Sequence, residues 1–197
     1  MPFNKEGIKM RKIFKIILAV FVVIIIIFVA FAALLFLDLA AYTATGSKTL
    51  TPTGTSVGKA LVIYDPGLSG TSKTVANKVA SDLQSQSYKV TLAGIKSSAA
   101  AHTTGYSIIV VGGPVYEGSS TASVKDDLKN LKPDAGTKVG VFGSGQGATS
   151  QSDIDMIKSS VPALSSSGSL SNAIVVKIGS SEDLNTRAQD FVNQLIL

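Results

Sequence analysis

An unbroken apolar run from Ile16 to Leu37 constrains this chain more than any other feature. As a helix, its 22 residues span about 33 Å, enough to cross a hydrocarbon core of roughly 30 Å. A cleaved signal peptide has a shorter apolar stretch, of about 7 to 15 residues, closed by a small-residue site that Ala40, Ala41 and Ala44 imitate poorly. A soluble domain rarely buries a helix that is apolar on every side. Residues 16–37 therefore read as an uncleaved, single-pass transmembrane helix embedded in a lipid bilayer. The rest of the chain must fold outside it.

Charge divides along the same boundary. The formal net charge is +5, yet residues 1–15 carry Lys5, Lys9, Arg11, Lys12 and Lys15 against Glu6 alone, a local +4. Asp38 and Lys48 cancel, and from Lys59 onward 12 basic residues face 11 acidic ones. The basic excess thus forms a tail beside the span, where it fixes orientation and meets anionic lipid. A near-neutral domain offers no electrostatic footprint for nucleic acid. By the positive-inside rule the N-terminus is cytoplasmic and the C-terminal domain extracytoplasmic. The lack of cysteine excludes disulfides, thiolate metal sites and cysteine nucleophiles.

Residues 38–58 are rich in Thr, Gly, Ser and Ala and read as a flexible linker. From 59 to 197, short apolar runs alternate with amphipathic segments, the pattern of βαβ units on a parallel sheet. The runs are Ala60–Tyr64, Tyr88–Ala93, Ser107–Val111, Lys138–Phe142 and Ala173–Ile178, which predicts five strands. The second run alternates polar and apolar residues and is expected at a sheet edge. Apolar stripes at Val75, Val79 and Leu83, then Val124, Leu128 and Leu131, then Ile154, Ile157 and Val161 before Pro162, and finally Leu184, Ala188, Phe191 and Leu195 predict four helices. Ser180 and Asp183 have capping-box spacing before the last.

Right-handed crossovers then give the strand order 2-1-3-4-5, which opens a crevice between the first and third strands at their carboxyl ends. Three glycine-rich loops must converge there: Asp65–Ser72, Gly112–Gly118 and Gly143–Gly147. In the first, Ser69, Gly70, Thr71, Ser72, Lys73 and Thr74 lead into a helix, whose N-terminal N–H groups suit a phosphate dianion, with hydroxyls as further donors and Lys73 as added charge. In the second, Gly113, Pro114, Val115, Tyr116 and Gly118 bring mobile peptides and one ring able to stack on a flat ligand. In the third, Gly143, Ser144, Gly145, Gln146 and Gly147 offer backbone N–H groups to the edge of such a ring.

Gly67–Thr74 also approaches the nucleotide-binding pattern G-x-x-x-x-G-K-[ST], but Ser72 stands where its second glycine is required, and no later strand ends in a magnesium-binding acid. His102 is the sole histidine and no G-x-S-x-G elbow exists. Asp126 and Asp127 lie among lysines and read as a solvated helix face. No metal site and no catalytic side chain emerges.

On these residues the chain from Lys59 onward resembles the flavodoxin family. Ser69-Gly70-Thr71-Ser72 before Val75-Ala76 is similar to its phosphate loop, Gly113-Pro114-Val115-Tyr116-x-Gly118 to the loop whose aromatic packs on the isoalloxazine, and Phe142-Gly143-Ser144-Gly145 with Gly147 to the third flavin loop of larger flavoproteins. The resemblance implies a doubly wound, five-stranded α/β domain and noncovalent FMN. It also implies electron transfer, as a carrier with an unidentified redox partner or as an FMN-dependent oxidoreductase reducing a quinone. This sequence departs from the family in an approach to the phosphate loop one residue longer, a third loop without Tyr or Trp, and no acidic surplus. Those departures leave a second class open, a membrane-tethered binding or scaffolding module of the same fold without cofactor.

Overall fold

The computed structural model describes residues 5–41 and 44–197, with side chains described at 14–32 and 44–197. It divides the chain into two units, residues 1–41 and 42–197.

The first unit is one helix, α1 (Lys5–Ala41). Its window Phe14–Ala32 is long and apolar enough to cross a bilayer, and none of it is buried against protein. Helix therefore begins within the basic stretch expected as a tail, and continues past Leu37 into the expected linker.

The second unit is a sheet covered by helices on both faces. Its strands are β1 (Ser47–Leu50), β2 (Gly58–Tyr64), β3 (Tyr88–Gly94), β4 (Ile108–Tyr116), β5 (Ser119–Ser120), β6 (Lys138–Gly145) and β7 (Ile174–Gly179). The order is β1-β3-β2-β4-β6-β7, with β5 paired to β4 alone. The five predicted strands, β2, β3, β4, β6 and β7, are parallel and stand in the predicted order second, first, third, fourth, fifth. Helices α2 (Thr71–Ser85), α3 (Ala122–Asn130), α4 (Gln151–Ser160) and α5 (Leu184–Ile196) follow four of them.

Alternation along the strands sorts the core into two layers. Ala60, Val62, Val110, Phe142, Val176 and Ile178 meet Val75, Val79 and Leu83 of α2 and Ala188, Phe191 and Leu195 of α5. Leu61, Ile63, Ile109, Val111, Val141 and Val175 meet Val124 and Leu128 of α3 and Ile157 of α4 on the opposite face. Strands buried on both sides must be apolar at successive positions, which is why these runs read as continuous.

Three expectations are corrected. Residues 47–50 are not free linker: β1 pairs antiparallel with β3, Ser47 opposite Ala93 and Leu50 opposite Val90. The second predicted strand is consequently not an edge, since β1 covers it. Its alternation, with Lys89 and Thr91 incompletely buried, reflects partial exposure of a face rather than of the edge. Third, Ser180 forms no capping box; Asp183 is the N-cap of α5 and accepts from the Thr186 N–H at 3.0 Å. The complete box belongs to α4, where Ser150 and Asp153 cap each other.

Candidate functional site

The carboxyl ends of β2, β4 and β6 converge at a cleft of about 710 Å³, a volume within the usual range for small-molecule sites. Of the predicted site residues, Ser69, Thr71, Pro114, Val115, Tyr116, Gly118, Ser144, Gly145 and Gln146 line it. Gly70, Ser72, Lys73, Thr74, Gly113, Gly143 and Gly147 do not line it directly.

The first wall is the turn into α2. Its N-cap is Gly70 at φ +69°, a left-handed conformation that favours glycine and leaves no side chain to cap the helix. The first-turn N–H groups are thereby left for other acceptors. The Thr71 N–H has only Ser69 Oγ at 3.4 Å, and the two hydroxyls are 2.9 Å apart. The Ser72 hydroxyl is buried and hydrogen-bonded to Ser144 Oγ at 2.6 Å, so this residue has only its backbone to offer a ligand. Thr74 Oγ1 donates to the Gly70 carbonyl at 3.3 Å, and Lys73 is exposed on the helix.

The second wall is a hairpin rather than a loose loop. Strand β4 continues through Gly112–Tyr116, and Tyr116 pairs with Ser119 across Glu117 (φ +50°) and Gly118 (φ +78°). Positive φ at both central residues marks a two-residue turn of the type whose twist suits a hairpin. It holds Tyr116 at the cleft with 51% of its surface exposed, and Leu68 of the first loop, 54% exposed, lines the same cleft. Gly112 is needed for a close approach: a Cβ there would stand 2.1 Å from the Phe142 ring.

The third wall is the end of β6, which runs to Gly145 in register with β7. A polar knot secures the turn between β6 and α4. Thr149 Oγ1 lies 2.7 Å from the Lys177 carbonyl and 2.6 Å from Glu182 Oε2, which also accepts the Gly179 N–H at 2.7 Å. Burial pushes the Glu182 carboxyl up, but these hydrogen bonds and the Arg187 guanidinium outweigh it and hold the group below its ordinary value.

Sequence reasoning missed five residues that line the cleft: Leu68, Glu117, Asp153, Lys177 and Ser180. Lys177 carried a readable signal, a lysine inside the apolar run Ala173–Ile178 of a strand that must be covered on both faces. Asp65 was also missed as a strut. Its carboxylate accepts from the Gly67 N–H at 3.0 Å, from Thr121 Oγ1 at 2.9 Å and from Ser123 Oγ, tying the first loop to the start of α3.

No known family profile and no curated protein matches this chain. Among solved structures, it is similar to oxidised flavodoxin 2 from Bacillus cereus, with 19% identity over 70% of this chain and 97% of that one at a TM-score of 0.46. A Streptococcus pneumonia TIGR4 flavodoxin gives 21% identity over 70% and 97% at a TM-score of 0.48. An NADH:FMN oxidoreductase in its apo form gives 13% identity over 71% and 88% at 0.49. The fold assignment itself rests on the strand order and on helices covering both faces. The domain has a flavodoxin-like fold. In flavodoxin-like sheets the ligand crevice lies at the switch point beyond the strand carboxyl ends, which is where this cleft opens.

Proposed function

We propose that this chain is a membrane-anchored, FMN-binding redox protein. The observation that carries the reading is the convergence of three loops on one cleft, walled by an uncapped helix N-terminus, with Leu68 and Tyr116 both part of its lining. In this reading the Thr71, Ser72 and Lys73 N–H groups receive the phosphate at the positive end of the α2 dipole, with the Ser69 and Thr71 hydroxyls beside them. Tyr116 and Leu68 shield the ring, and the peptides of Ser144, Gly145 and Gln146 set its edge contacts. Bound FMN supplies one- or two-electron transfer, and the chain supplies position and electrostatics. The apolar window of α1 anchors the protein in a single pass, with the N-terminus cytoplasmic. It brings the domain within reach of a redox partner or a membrane-soluble quinone.

Two observations favour a second reading, a tethered module without cofactor: the Ser72 hydroxyl is committed to Ser144, and Lys73 does not line the cleft. Titration of FMN into the full chain in detergent separates the two. Saturable quenching of flavin fluorescence and a yellow protein are expected. No quenching with FMN in excess overturns the redox reading. With flavin bound, steady NAD(P)H oxidation in the presence of a quinone marks an enzyme, and reversible reduction without turnover marks a carrier.

A further inference from the structure

The cleft is lined by a single base among its described residues, and that base is buried. Lys177 sits in the interior of β7 with 9% of its side chain exposed. Strand alternation turns Val176 and Ile178 toward α2 and α5, and Val175 and Lys177 toward α3 and α4. Lys177 therefore occupies the face of the sheet opposite the α2 turn. Its ammonium donates to Asp153 Oδ2 at 3.0 Å, and its Cε lies 3.5 Å from the position a Cβ would take on Gly145. The charge thus stands against the third wall of the cleft. Asp153 is fixed in turn: its Oδ2 accepts from the Ser150 N–H at 3.0 Å and the Ser150 hydroxyl at 2.9 Å.

Such a pair is a poor device for stability. Two partly desolvated charges cost about as much as their attraction returns, and an apolar side chain of similar length would pack there at least as well. Its location is what distinguishes it: an ammonium beside the wall that in the FMN reading would take the edge of the ring, on the face of the sheet opposite the α2 turn.

We propose that Lys177 is an electrostatic positioning residue that favours the reduced form of the bound flavin, with Asp153 as the counter-charge that limits the effect. The inference rests on the FMN reading above. When oxidised flavin takes two electrons from a donor and one proton at N5, the remaining negative charge spreads over N1 and the C2 carbonyl oxygen. A cation near that edge stabilises the product and has little to act on in the neutral oxidised ring. The two members of the pair then act with opposite sign.

The test is a dithionite titration of the full chain in detergent with FMN bound, following the flavin spectrum against a reference dye. Lys177→Met is expected to lower the affinity for reduced relative to oxidised FMN about tenfold, a midpoint fall of about 30 mV for a two-electron couple. Asp153→Asn is expected to raise the midpoint, and Lys177→Arg to keep it near the parent value. The dissociation constant for oxidised FMN should stay within about threefold throughout. A midpoint unmoved by both neutralising variants, or moved by both in one direction, overturns the proposal and leaves FMN binding intact. A parent chain that takes up no FMN overturns the parent reading instead. Should Lys177→Met fail to fold, the sign of the Asp153→Asn shift still decides.

Discussion

On α3, the Asp127 carboxyl, expected on a solvated face, instead lines a cavity shared with Lys96, Ala100, Ala101 and Thr103, and its Oδ2 is buried with no hydrogen-bond partner. Burial pushes its pKa from the ordinary 3.8 up to about 6, with Lys96 opposing. The folded chain therefore holds this proton more tightly than the unfolded chain does. Stability must fall as pH rises through the window from 3.8 to about 6, and stay lower above it. At 1.36 kcal/mol per pH unit of displacement the cost has an upper bound of about 3 kcal/mol, and partial exposure reduces it to roughly 1–2. Asp127→Asn removes the charge and keeps the shape. Urea unfolding at pH 4 and pH 8 should show the variant gaining that amount on the parent between the two. A pH-independent difference would mean the carboxylate is solvated in the folded state. The opposite design appears at Ser72 and Ser144, where two buried hydroxyls satisfy each other and join α2 to β6 beside the cleft.

At the scale of elements, the turn into α2 makes a prediction that separates binding from folding. Ser69→Asp carries a carboxylate to where Ser69 Oγ now faces the Thr71 N–H. An acid at a helix N-terminus stabilises by about 0.3–1 kcal/mol, so the melting temperature should hold or rise. The same charge repels a phosphate dianion and competes for its donors, so FMN affinity should fall at least tenfold, an order-of-magnitude expectation for one lost charge-assisted contact. A mutant that keeps parental affinity would move the phosphate elsewhere. This turn was legible because Gly70 and its hydroxyl neighbours stand between a strand and an amphipathic helix. The five parallel strands were legible too, because burial on both faces demands runs such as Ala60–Tyr64 and Ser107–Val111. Strand β1 was not legible. Ser47-Lys48-Thr49-Leu50 has no apolar face of its own, and it becomes a strand because β3 presents an open row of backbone groups. The Ser180–Asp183 spacing misled because the helix starts one residue after Asp183, which makes that residue the cap instead of its partner. Lys177 stood out as a lysine within an apolar run, but its pairing with Asp153 was not legible, because it depends on β7 and α4 packing together, which no local pattern encodes.

The whole molecule joins a helix fit for a bilayer to a domain whose ligand, in the proposed reading, is a phosphorylated flavin. That combination makes orientation consequential. The four basic residues before Phe14, with Lys15 just inside the window, contrast with the opposite flank, where Asp38 is the only charge before Lys48. Short flanks of this kind set topology through their lysines and arginines, so in the proposed reading residues 1–15 stay cytoplasmic and the domain lies outside. In sealed right-side-out vesicles, added trypsin should cleave the domain, while in inverted vesicles the domain should be protected until detergent is added. The domain offers Lys and Arg sites on exposed helices, among them Lys73 and Lys129, but its folded core slows their cleavage. The comparison must therefore be made against detergent-opened vesicles at equal protease. Cleavage of the domain only in inverted vesicles would reverse the orientation and place the cleft on the side where FMN is made. Accessibility from the outer side would require FMN to be loaded before translocation or supplied beyond the membrane. That requirement leads to a further outcome of the same preparation: vesicles whose domains are accessible from outside should take up added FMN without detergent, with flavin fluorescence quenched in proportion to the protease-sensitive fraction.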